Sequence, residues 1–176
     1  MLTICDPETY IEYMKDDPVR PELFEDNSLR FRNNFHVFAD IDIEEGGGHV
    51  VVNAILCAVI SPFVLQCEEL LRDLGSNPEE ARQMQEHMRE LLDDANLATI
   101  FTPYSMWSYK KGSGKRLINQ LLEYIPIGFP KVTHVITMSP PTRMAMEFHI
   151  NNGALLLSPN AETINYEYNL NNVTLH

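Results

Sequence analysis

Two groups of residues in this 176-residue chain have types and spacing that could do chemistry. The first is Ser139, at the end of the apolar run Val135–Met138, followed by His149 and then by Tyr166 and Tyr168. A serine hydroxyl can donate and accept hydrogen bonds. An imidazole whose ordinary pKa is about 6.5 can bind a carboxylate or give a proton near neutrality. The second is Lys110-Lys111-Gly112-Ser113-Gly114-Lys115, the densest basic cluster in an acidic chain. Between a strand and a helix, such a loop offers backbone N–H groups and the positive end of a helix dipole to an anion.

The first group depends on a strand, a helix and a hairpin. Val132–Ser139 reads as a strand that stops at Ser139-Pro140-Pro141-Thr142, because two prolines cannot carry a ladder onward. Pro141 or Thr142 opens a helix with Met144, Ala145 and Phe148 on one face, and Asn151-Asn152-Gly153 closes it. Ala154–Leu157 and Thr163–Tyr168 read as strands joined by a Ser158-Pro159-Asn160 turn. Taken alone, Ser139 is equally a cap-like serine before a turn, and His149 reads as a structural or exposed histidine. Tyr166 and Tyr168 share a side-chain direction on one strand, so spacing does not separate them.

Upstream, Thr9–Lys15 reads as a short helix, and Phe24–Asn34 is polar and irregular. His36–Ile43 alternates as a strand with Val37, Ala39, Ile41 and Ile43 on one side, and His49–Ile60 returns as a long apolar strand. Gly46-Gly47-Gly48 between them is a hairpin turn. A phosphate loop would need a strand before it and a helix after it.

A helical insert follows over about 61–95, with Phe63–Leu74 and Glu80–Asp93 as its helices. Met84, Met88, Leu91 and Leu92 form a stripe in the second that suits packing, and it could also serve as a lid or a contact with a second copy in a homo-oligomer. Leu97–Phe101 is the next strand, ended by Pro103. Tyr104–Lys111 is then a loop containing the one tryptophan, Trp107. Leu117–Tyr124 is a helix ended by Pro126, Gly128 and Pro130.

A chain of 176 residues suits one domain that buries roughly 70% of its unfolded surface, so residues 1–176 are expected to form a single unit with the insert. The formal charge of −12 disfavours nucleic acid as a partner. Cys5, Cys57 and Cys67 lack metal-ligand spacing and read as reduced thiols of a cytoplasmic protein. Ala54–Leu65 is the most apolar stretch, yet it is too short to span a bilayer, so no membrane partner is expected.

Three motifs, in order, resemble the C-terminal, GNAT-like catalytic domain of malonyl-CoA decarboxylases. Met138-Ser139-Pro140 is similar to that family's Leu-Ser-Pro at a strand end. Phe148-His149-Ile150-Asn151-Asn152-Gly153-Ala154 is similar to its Phe-His-Leu-x-Asn-Gly-Ala, and Asn165-Tyr166-Glu167-Tyr168 to its Asn-Tyr-x-Tyr. Weaker similarity reaches back through Phe129-Pro130-Lys131 and Ala98–Phe101.

The resemblance implies an α+β, GNAT-like acyl-CoA-binding fold whose mixed, mostly antiparallel, twisted sheet is flanked by helices. It implies Ser139, His149 and Tyr168 as catalytic residues, and no metal or other cofactor beyond a coenzyme A thioester substrate. Lys110, Lys111, Gly112, Ser113, Gly114 and Lys115 then resemble the pyrophosphate loop of GNAT proteins, with Tyr109 where Arg or Gln is usual. The expected activity is decarboxylation of malonyl-CoA or a related carboxyacyl-CoA. Acyl transfer to an amine and acyl-CoA binding without turnover are the alternatives.

Overall fold

The computed structural model describes residues 1–6, 11–18, 34–44, 46, 48–62, 97–159 and 163–170. Seven strands form one sheet: β1 (Leu2–Cys5), β2 (Phe35–Ile43), β3 (Val50–Ser61), β4 (Ile100–Ser108), β5 (His134–Ser139), β6 (Ala154–Pro159) and β7 (Ile164–Tyr168). Three helices are described: α1 (Ile11–Met14), α2 (Ser113–Gly128) and α3 (Arg143–Asn151). The strand order is β1-β2-β3-β4-β5-β7-β6, and all neighbours are antiparallel except β4 and β5. The sheet and its flanking helices make the GNAT-like α+β architecture.

Helices cover both faces of the sheet, and β3 shows the consequence. Every residue from Val52 to Ser61 is buried, as a near-continuous apolar run demands of a central strand. Phe38, Leu56, Phe101, Val135, Tyr166 and Tyr168 pack with Leu117, Leu121 and Ile125 of α2 on one face. Val37, Ala39, Ile55, Cys57, Val59 and Trp107 pack with Met14 of α1 on the other. Cys5 and Cys57 are free thiols, and burial pushes the Cys57 thiol well above its ordinary pKa.

The β2/β3 hairpin forms as expected, but Ile43 is 57% exposed. It shares a face with buried Ile41 but is the last residue of β2, past the end of the core cluster. The first strand, β1, pairs with β2 through Thr3↔Ala39 and its neighbours, and sequence reading did not identify it.

The largest difference concerns Pro103, which does not end a strand. β4 continues through Tyr104, Met106 and Trp107 to Ser108, so the expected loop contracts to 109–112. Two irregularities make proline acceptable there. On the β3 side a bulge falls between the Cys57↔Ser105 and Ala58↔Pro103 pairs. On the β5 side the parallel ladder has only two rungs, Ile100↔His134 and Phe101↔Val135. The missing N–H of proline is therefore not needed by an uninterrupted ladder. Beyond those rungs the Thr137 hydroxyl reaches the Pro103 carbonyl at 3.4 Å, and the central strands separate.

Helix α2 outlasts its expected end at Tyr124 and carries Pro126 in its last turn. The turn expected at Ser158-Pro159-Asn160 begins later, since β6 extends to Pro159. The insert helices, Cys67 and most of Phe24–Asn34 lie outside the described residues.

Candidate active site

Strand β5 ends in Ser139, and α3 begins after Thr142, whose side chain accepts a hydrogen bond from the Ala145 amide at 3.2 Å. Gly153, with φ at 85°, turns the chain into β6 after α3 ends. Met144, expected on the inner face, is 79% exposed. The inner side is formed by Phe148 and His149, whose rings meet edge to face with centroids 5.3 Å apart.

This geometry brings Ser139, His149 and Tyr168 together. The Ser139 Oγ lies 2.5 Å from His149 Nε2, and the Tyr168 hydroxyl lies 2.8 Å from His149 Nδ1. All three residues are buried. The two tyrosines that spacing left equivalent now differ. Tyr168 hydrogen-bonds the imidazole, whereas Tyr166 stacks on it with centroids 4.7 Å apart and planes 25° apart.

The ring proton of His149 has two possible positions. Burial holds the His149 pKa down at about 4, so the imidazole is neutral at pH 7, with one donor and one acceptor nitrogen. Burial also pushes the Tyr168 phenol well above its ordinary pKa, so it keeps its proton. The one hydrogen-bond partner of that hydroxyl among the described residues is His149 Nδ1. With Nδ1–H as the donor the phenolic proton lacks a protein acceptor, and with Nε2–H as the donor the serine hydroxyl proton does. The second arrangement, Tyr168 O–H to Nδ1 and Nε2–H to Ser139 Oγ, is the one that leaves a serine hydroxyl proton for a bound group. In it the chain of donors ends at Ser139.

The basic loop sits at the uncapped start of α2. Gly112 is its N-cap residue, with φ at 85° and no side-chain capping bond. The Gly112→Ala variant is expected to lose about 1 kcal/mol in urea unfolding, because a Cβ disfavours that backbone region. An unchanged midpoint and slope would show that the loop readily adopts another conformation.

The remaining loop side chains divide into two groups. Ser113 faces inward, with its hydroxyl 2.8 Å from the Asn53 carbonyl and 2.5 Å from that of Lys110. Lys110 pairs with Asp42 at 3.1 Å, and this contact holds the Asp42 carboxyl below its ordinary pKa. Lys111 and Lys115 are exposed, and no described carboxylate pairs with them. Arg116 grips the buried Asp40 through Nε, at 3.0 and 2.9 Å, and through Nη2 at 2.5 Å.

Sequence reading missed Asp40, Asp42, Asn53 and Arg116, which fasten the loop to β2 and β3. Its one accessible signal was Asp-Ile-Asp on a strand in a chain with few basic clusters. Gly114 connects the two sites: a Cβ placed there would lie 3.6 Å from Met106 Cε and 3.9 Å from Phe148 Cε2. The start of α2 thus approaches the ring beside His149.

No family model matches the sequence, and no curated protein matches it. Solved structures match its fold. NAA60 from Arabidopsis thaliana in complex with acetyl-CoA aligns over 97% of this chain and 99% of its own, at 14% identity and a TM-score of 0.57. Malonyl-CoA decarboxylase from Rhodopseudomonas palustris aligns over 97% of this chain at 16% identity and a TM-score of 0.56. The alignment spans 56% of that decarboxylase chain. Aminoglycoside 6'-acetyltransferase type Ii aligns over 97% of both chains, at 12% identity and a TM-score of 0.55. The shared property is the fold, and it hosts both acetyltransferases and malonyl-CoA decarboxylases.

Proposed function

We propose that this chain binds a coenzyme A thioester and decarboxylates malonyl-CoA or a closely related carboxyacyl-CoA. The observation that carries the reading is the hydrogen-bonded series Tyr168, His149 and Ser139, whose donors in this reading run from the phenol toward the serine. Loss of carbon dioxide from malonyl-CoA breaks the bond between the α-carbon and the carboxylate. The electron pair moves toward the thioester oxygen as an enolate. A serine proton not committed to the protein suits that oxygen, because its hydrogen bond strengthens as charge collects.

Reprotonation completes the balance. One solvent proton is consumed per carbon dioxide released: the Ser139 hydroxyl proton passes to the α-carbon, His149 Nε2–H to Ser139 Oγ and the Tyr168 proton to His149 Nδ1, and solvent reprotonates Tyr168. Tyr168 holds the ring in the tautomer this requires. Transfer to an amine needs a free base to take the amine proton, and both nitrogens of His149 are already engaged. That engagement favours decarboxylation over acyl transfer.

The same fold provides a place for coenzyme A. Its pyrophosphate would sit on the first-turn N–H groups of α2, with Lys111 and Lys115 beside it, and its pantetheine would run between the separated β4 and β5. Lys110 and Ser113 hold the loop in shape. Replacing Lys111 and Lys115 together by Ala should weaken coenzyme A three- to tenfold, roughly, and flatten the salt dependence of binding. Affinity unchanged at low salt would place the pyrophosphate elsewhere.

The deciding experiment incubates the protein with malonyl-CoA alone and with acetyl-CoA plus polyamines. Carbon dioxide and acetyl-CoA formed without an acceptor are expected. Thiol release that requires the amine would refute decarboxylation in favour of transfer, and binding without turnover would refute both.

A further inference from the structure

The geometry points to Tyr166 as a second hydrogen-bond donor to the reacting acyl group, placed beside Ser139 and satisfied only when the thioester is bound. This inference rests on the proposed decarboxylation. Tyr166 is fully buried, and its hydroxyl has no hydrogen-bond partner among the described residues. Its ring stacks on His149 at 4.7 Å, so the unmet hydroxyl belongs to the same cluster as the Ser139–His149 pair.

A purely structural role for this residue would need only the ring. Phenylalanine would stack on His149 equally well and would avoid leaving a polar atom buried without a partner. Register places the hydroxyl-bearing side chain where it could serve the substrate. Tyr166 lies opposite Thr137, while Ser139 lies opposite Ile164, so Tyr166 and Ser139 are diagonal neighbours on one face of β5 and β7. Thr137 also marks where β5 parts from β4.

The oxygen that gains charge during decarboxylation is the strongest acceptor such a donor could meet. A hydrogen bond that strengthens as that charge develops should affect kcat more than KM. Removing the hydroxyl should also spare the free protein an unpaired group. The expected signature is a variant that is more stable and less active.

The test compares wild-type protein with Tyr166→Phe in thermal unfolding without ligand and in steady-state kinetics with malonyl-CoA. The expected result is a Tm raised by roughly 2–5 °C, a kcat lowered about tenfold or more and a KM within about twofold. A lowered or unchanged Tm would show that the hydroxyl has a partner in the free protein and would overturn the inference. An unchanged kcat in an active wild-type background would overturn it too, while leaving the decarboxylase reading intact. A wild-type protein that neither binds nor turns over malonyl-CoA would overturn both.

Discussion

Replacing His149 by Ala is expected to lower kcat for malonyl-CoA decarboxylation by about 10²–10⁴-fold, the range typical of a positioned proton-transfer group. Coenzyme A affinity should change little. The two effects separate because His149 lies beyond Phe148 from the α2 loop and its imidazole hydrogen-bonds, among the described residues, only Ser139 and Tyr168. Without the imidazole, Ser139 loses the N–H that orients its hydroxyl and replenishes its proton. The Tyr168 hydroxyl loses its acceptor. The check is a single-turnover measurement of carbon dioxide release beside a titration with coenzyme A. Undiminished turnover would remove His149 from the chemistry, and a matching loss of affinity would indicate a collapsed fold.

The parts of this site legible in sequence were those set by local rules. Thr142 caps a helix because its hydroxyl can take an amide in the first turn, and Gly153 closes it because it tolerates a φ of 85°. These two residues fix the length of α3 and hence bring His149 back over Ser139. The tyrosines could not be separated, because a period of two puts both on one face. They became distinct through the β5/β7 register, which sets Tyr168 against Val135 and Tyr166 against Thr137.

Pro103 misled for the opposite reason. The rule that proline stops a strand assumes a complete ladder, and here a bulge on one side and a parting of strands on the other relax it. The Asp40–Arg116 contact was illegible because its partners come from β2 and α2, far apart in the chain. Nothing local in Asp-Ile-Asp marks Asp40 as a buried acid that waits for an arginine.

The neutral imidazole on which the donor chain depends also predicts how stability responds to pH. His149 has a pKa of about 4 in the folded protein, below the value of about 6.5 expected when unfolded. Between those values the unfolded chain binds the proton and the folded chain does not. The folded state is therefore at no disadvantage above about pH 6.5 and loses stability as pH falls toward 4. Between pH 7 and pH 5 this one group should cost about 1–2 kcal/mol, after allowing for partial solvent screening. Burial moves His36 in the same direction, so the wild-type slope alone does not isolate His149. The comparison is urea unfolding of wild-type protein and His149→Gln at both pH values, since glutamine has similar reach and does not titrate. Wild-type protein should lose about 1–2 kcal/mol more than the variant on acidification. Parallel losses would mean that the imidazole protonates readily in place, and the directed chain from Tyr168 to Ser139 would then have no fixed polarity.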